Sequence, residues 1–192
     1  TTLLSIKELG SYEIIGQTRD DAAGEAFDKI SRVLGLGYPG GPAIERAAKE
    51  GNRKAFAFPK ALHDELDFSF SGLKTAVINL VHNSSQKGEE LNVADLAASF
   101  EESVVEVLTE KTIRAAKAEK VDKVLLSGGV ASNQYLRDSL AAACQKEGFK
   151  LYYPPKILCT DNAAMIACTG YYRYLKGNIA KWDLNADPRL GL

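Results

Sequence analysis

One stretch constrains this chain more than any other: Val124-Leu125-Leu126-Ser127-Gly128-Gly129-Val130-Ala131-Ser132-Asn133-Gln134-Tyr135-Leu136-Arg137. An apolar run of strand type leads into two glycines, then a cap residue, then a helical pattern. That order predicts a tight turn at the carboxyl end of a strand, with a helix amino terminus just beyond. Backbone N–H groups and the helix dipole suit such a place to phosphates and nucleotides, and glycine lets a ligand approach bare backbone. The same residues also serve as an ordinary strand-to-helix turn with a Ser or Asn cap, and the local pattern does not separate the two.

The flanking elements predict an α/β fold. Thr2–Ile6 and Tyr12–Gln17 are β-rich and separated by a turn, so they read as a hairpin. Asp20 to Leu34 reads as a helix capped by Asp20 or Asp21, with Ala22, Ala23, Ala26, Phe27, Ile30, Val33 and Leu34 on one face. Asp28 falls off that stripe, which by pattern is a solvated position. Tyr38-Pro39-Gly40-Gly41-Pro42 makes a second glycine turn before a short helix, Ala43 to Lys49. Ser71 is placed to cap a helix through Val81, with a polar loop over Asn83 to Glu90. Asn92 opens the longest helix, to about Glu119, striped by Val93, Leu96, Ala97, Phe100, Val104, Val107 and Leu108. A helix to about Glu147, a strand over Phe149–Tyr153 and a helix from Thr160 or Asp161 to Leu175 follow, then an irregular tail from Asn178 to Leu192. Strands alternating with helices in the second half predict parallel pairing. In such sheets ligands sit beyond the carboxyl ends of strands, an edge that Gly128, Gly129 and Asp161 could share.

Composition narrows the functional classes. A net charge of −1 over 192 residues gives no electrostatic case for a nucleic-acid or membrane surface, although a local basic face stays open. No apolar run is long enough to span a bilayer. Cys144, Cys159 and Cys168 form no CxxC pair and read as buried thiols in a reducing compartment. His63 and His82 share no chelating spacing. There is no GxSxG elbow, Cys–His pair or HExxH. Asp161 is the carboxylate that stands out. It serves either as a helix cap or as one metal ligand, and one carboxylate is an incomplete metal site.

Five blocks then carry a resemblance: Asp20-Asp21-Ala22-Ala23-Gly24-Glu25-Ala26-Phe27-Asp28-Lys29, Tyr38-Pro39-Gly40-Gly41, Phe68-Ser69-Phe70-Ser71-Gly72-Leu73-Lys74, Ser127-Gly128-Gly129-Val130-Ala131-Ser132-Asn133 and Thr160-Asp161-Asn162-Ala163-Ala164-Met165-Ile166-Ala167. In this order they resemble the TsaD family of tRNA N6-adenosine threonylcarbamoyltransferases, formerly called O-sialoglycoprotein endopeptidases or glycoproteases. The resemblance implies the second lobe of an actin-like ATPase (ASKHA, RNase H-like) fold. Residues 1–192 would form a single carboxy-terminal lobe with a helical insertion at about 35–118. The family's first lobe, its His-x-x-x-His pair and its Ser-Gly-Gly-His-Thr phosphate turn have no counterpart here, so the chain reads as a carboxy-terminal fragment.

The resemblance further implies roles. Asp161 would be a ligand to one divalent ion, iron or zinc. Asn133 and the Gly128-Gly129 turn would hold the adenosine part of threonylcarbamoyl-adenylate, with Asp28, Gly41 and Glu45 lining the pocket. The reaction would transfer threonylcarbamoyl to N6 of the adenine next to the tRNA anticodon. Implied partners are tRNA, the adenylate and proteins of a tRNA-modification complex, with self-association of the fragment, in the cytoplasm and without a membrane. Two other readings share the fold. One is a non-catalytic scaffold paralogue, which has no need to keep Asp161 together with Asn133. The other is a sugar kinase or related ATPase, which would transfer a γ-phosphate.

Overall fold

The computed structural model describes residues 1–8 and 10–186. The end of the expected tail, residues 187–192, lies outside the described residues. The chain divides into two compact units, Thr1–Cys159 and a second starting at Thr160.

In the first unit, β1 (Thr2–Glu8) and β2 (Ser11–Gln17) form the expected antiparallel hairpin. Leu4 pairs with Ile14 and Ile6 with Tyr12. Partners across a hairpin share a face, and these four apolar side chains are exposed. Leu3, on the opposite face, packs on the core. Phe68 continues this sheet by a bridge to Thr18, its N–H donating to the Gln17 carbonyl at 3.0 Å.

Four helices follow: α1 (Ala23–Val33), α2 (Gly40–Ala48), α3 (Ser71–Lys87) and α4 (Val93–Ala118). Their apolar stripes meet in the main core, where Phe27 of α1 meets Phe100 of α4 edge to face at 5.3 Å, surrounded by Ile30, Ile44, Phe68, Phe70, Val77 and Val104. Then β3 (Lys123–Leu125), a 3-10 turn (Gly129–Ser132), α5 (Gln134–Glu147) and β4 (Lys150–Tyr152) complete a β-α-β unit. Its strands pair in parallel, as expected. Val124, Leu140, Cys144 and Ala116 form a smaller core beneath it, and burial there pushes the Cys144 thiol up. The second unit contains α6 (Ala163–Leu175). Among the described residues no helix is long and apolar enough to cross a membrane.

Several expectations are corrected. Asp20 and Asp21 do not cap α1, which starts after Ala22 with no side-chain cap. Asp20 instead accepts from the N–H groups of Phe70 (2.8 Å) and Ser71 (3.3 Å) and from the Ser69 hydroxyl. It therefore occupies the amino terminus of α3, so Ser71 is the first helical residue and not the cap. Asp21 takes Lys29 at 2.7 Å and Lys74 at 2.6 Å, and these two bonds hold its carboxyl below the ordinary range. The first and third sequence blocks are thus bound together by two adjacent carboxylates.

The expected loop over Asn83 to Glu90 is helical through Lys87. Ser84 is buried, and the turn ends only at Gly88, whose φ is 70°. The second helix starts at Gly40, earlier than Ala43, with Pro42 still in its first turn. The last strand is shorter than Phe149–Tyr153. Cys168 is exposed, not a buried thiol.

Candidate functional site

In the first unit the structure gathers the ends of three helices around the glycine turn. Gly128 leaves β3 at φ 91°, ψ 170°. That conformation is essentially closed to residues with a Cβ. A side chain would meet nothing within 4 Å at either Gly128 or Gly129. Both are exposed, so this bare backbone faces open space beyond the strand end, as expected from the sequence.

Val130 leans on the first turn of α1, where a Cβ on Gly24 would sit 3.4 Å from its methyl group. Asp28 is one helical turn further along α1. It is half-buried rather than solvated, and its Oδ1 accepts from the N–H of Gly40 at 2.7 Å. This carboxylate therefore satisfies the amino terminus of α2. Gly40 is the glycine that this approach requires, because a Cβ there would lie 2.4 Å from the Asp28 Cα and 2.5 Å from the Phe27 carbonyl oxygen. Gly41 faces open space.

Glu45, one turn further along α2, accepts from the N–H of Gln134 at 3.0 Å. It thereby binds the amino terminus of α5, beside Asn133. Asn133 caps α5, its Oδ1 accepting from the Leu136 N–H at 2.8 Å, and is 7% exposed. Its Nδ2 donates at 2.7 Å to Glu101, which is fully buried in α4. The other oxygen of Glu101 accepts from Arg53 at 2.7 Å. The Arg53 guanidinium lies 3.4 Å from the centre of the Tyr135 ring, and the Tyr135 hydroxyl donates to Glu102. Burial and that bond together raise the Tyr135 pKa.

Asp28, Glu45, Asn133 and the glycine turn thus belong to one set of linked helix ends. Sequence reasoning does not single out Glu101 or Arg53. Asn133 lies 32 residues from Glu101 and Arg53 lies 48 away, and neither charged residue breaks the helical or loop pattern around it.

In the second unit, Asn162 and not Thr160 or Asp161 caps α6, accepting from Met165 N–H at 2.9 Å. Asp161 is exposed, with no hydrogen-bond or ion-pair partner among the described residues. The capping explanation for this carboxylate is therefore removed. Among the described residues no group of three or more His, Cys, Asp or Glu could hold a metal ion.

A family model described as "TsaD: tRNA N6-adenosine threonylcarbamoyltransferase" matches residues 1–168. The chain is 54% identical to a protein of that name from Clostridium botulinum (strain Kyoto / Type A2) and 55% identical to one from Clostridium perfringens (strain SM101 / Type A). In both cases all of this chain is covered and 57% of the relative, so the chain spans little more than half the length of these curated relatives. Among solved structures it resembles the crystal structure of T. kodakarensis HypF, with a TM-score of 0.63 and 20% identity over 85% of this chain and 21% of that one. Full-length HypF in its phosphate- and nucleotide-bound form gives 0.58 and 20% identity over 80% of this chain and 20% of that one. Likeness at that identity carries the fold alone.

Proposed function

This chain belongs to the TsaD family of tRNA N6-adenosine threonylcarbamoyltransferases, and from that premise we propose that it supplies the adenylate-gripping part of an enzyme making threonylcarbamoyl-adenosine in tRNA. The observation that supports this reading best is the exposed Gly128-Gly129 backbone, with Glu45, Asn133 and the start of α5 fixed beside it. On this reading the turn receives the adenosine part of threonylcarbamoyl-adenylate, Asn133 stands behind it, and Asp28, Gly41 and Glu45 line the approach. Residues 1–192 are the second lobe, and about 35–118 a helical insertion in it.

The reaction is acyl transfer. The N6 amine of the adenine next to the anticodon attacks the threonylcarbamoyl carbonyl carbon. A C–N bond forms, the C–O bond to the phosphate breaks, the amine gives up a proton, and AMP leaves. What this chain contributes is orientation. A rigid, pre-shaped turn holds the leaving nucleotide so that the encounter becomes effectively intramolecular. Asp161 fits one position in a metal site, because its carboxylate is exposed and has no partner among the described residues. The remaining ligands would come from outside the described residues. Bound iron or zinc would polarise the carbonyl as a Lewis acid. Partners on this reading are tRNA, the adenylate and other proteins of a modification complex.

Gly128→Ala tests the nucleotide part. The added methyl enters open space, so the substitution acts through backbone strain of about 1–3 kcal/mol. Titrating AMP into the full-length protein is expected to show affinity reduced by roughly tenfold. Unchanged affinity would remove the turn from the nucleotide site.

A further inference from the structure

The polar chain behind the glycine turn carries a second function. Glu101 is fully buried in the middle of α4. A buried carboxylate is costly unless both oxygens are satisfied. Here one accepts from Arg53 and the other from Asn133, each at 2.7 Å. Asn133 sits between two groups of opposite demand: the carboxylate can only accept, and the Leu136 N–H can only donate. A primary amide meets both demands in one orientation, with nitrogen towards Glu101 and oxygen towards α5.

We infer that Glu101, held by Arg53, is the positioning residue of the nucleotide site: it fixes which end of the Asn133 amide faces inward, and so seats the amino terminus of α5 and the turn before it. The inference rests on the reading of that turn as the nucleotide site. Glu101 touches no ligand; it acts through Asn133. Arg53 keeps the carboxylate in place from the loop after α2, and its stacking on Tyr135 ties the same loop to the first turn of α5.

The arrangement can be inverted. Glu101→Gln alone offers one acceptor where two donors need one, so either Arg53 or Asn133 loses its bond. Asn133→Asp alone keeps the cap but sets two carboxylates face to face. In the double variant Glu101→Gln/Asn133→Asp, the amide introduced on α4 accepts from Arg53 and donates to the carboxylate introduced before α5, which still caps that helix. Net charge is unchanged, and the bond between the two positions is remade with its polarity reversed.

The experiment measures the thermal midpoint and AMP affinity of the full-length protein in all three variants. Each single variant is expected to melt roughly 3–10 °C lower and to bind AMP on the order of tenfold more weakly. The double variant is expected to recover both, with affinity within about threefold of the parent. A double variant that melts no higher than the worse single one overturns the inference. Recovery of the midpoint with affinity still lost would make the Asn133 amide itself the ligand contact, and overturns it too. AMP affinity unchanged in all three, with the midpoint recovering, leaves the polarity lock standing and instead overturns the nucleotide reading of the turn.

Discussion

Replacing Asp161 with alanine in the full-length protein is expected to abolish bound metal and threonylcarbamoyl transfer while leaving the thermal midpoint unchanged. The loss of metal and transfer follows from the proposed ligand role, and the unchanged midpoint from how the start of α6 is built. A carboxylate at a helix start ordinarily has a structural use, and losing a cap costs about 0.5–2 kcal/mol. Here that use belongs to the next residue, since Asn162 accepts from Met165 N–H. Asp161 is exposed and without a partner, so its removal breaks no bond among the described residues.

Loss of groups that merely support a ligand weakens metal binding by about 10- to 100-fold, and loss of the ligand itself is expected to exceed that. Asn162→Ala is the counterpart, expected to lose about 1 kcal/mol of stability and to keep its metal. Elemental analysis of the purified variants together with their melting curves checks both. Parent metal content in the Asp161→Ala protein would end the metal-ligand assignment.

Gly40→Ala is expected to be among the most destabilising single-methyl additions in the first unit. The new Cβ would lie 2.4 Å from the Asp28 Cα and 2.5 Å from the Phe27 carbonyl oxygen. These are backbone atoms of a packed helix, and no rotamer change can move them aside. α1 and α2 must separate. That opens the core around Phe27 and pulls the Gly40 N–H from the Asp28 carboxylate.

Overpacking of this kind costs about 1–3 kcal/mol, and a partly buried donor left without its acceptor adds roughly 1–3 kcal/mol. The gain in helix propensity returns at most about 1 kcal/mol. The expected fall in midpoint is roughly 5–15 °C for a chain of this size. Gly41→Ala adds the same methyl one residue later, into open space, and is expected to be neutral or slightly stabilising. Equal midpoints for the two variants would show that the helices do not approach as described.

What can be read in the sequence follows from where the information sits. The hairpin, the stripes of α1 and α4, the glycine turn after β3 and the Asn92 cap are local patterns, and each is found in place except at Val33 and Val93, the stripe residues at the helix ends, which are exposed. Wherever a side chain serves an element distant in sequence, local reading fails. Asp20 resembles a cap for the helix beside it, yet it serves the start of α3, 50 residues on. Glu45 reaches the backbone of Gln134 across 89 residues. Asp28 is an off-stripe polar residue by periodicity, and only the approach of Gly40 gives it a partner. Glu101 interrupts no pattern on α4, and nothing in its neighbours announces that it is buried. The overrun of α3 escapes sequence reading for another reason. Asn83-Ser84-Ser85-Gln86 has no apolar stripe, and the helix persists because Ser84 is buried and Gly88 supplies the left-handed stop.

Whether this chain grips the leaving nucleotide of an acyl transfer is decided by supplying the full-length protein with threonylcarbamoyl-adenylate and unmodified tRNA, and counting products. Threonylcarbamoyl-adenosine in tRNA and AMP are expected in equal amounts, formed without ATP present and both slowed by roughly tenfold in Gly128→Ala at limiting adenylate. Modified tRNA that appears only when ATP is consumed, or formation unaffected by Gly128→Ala, would rule out the nucleotide grip at this turn.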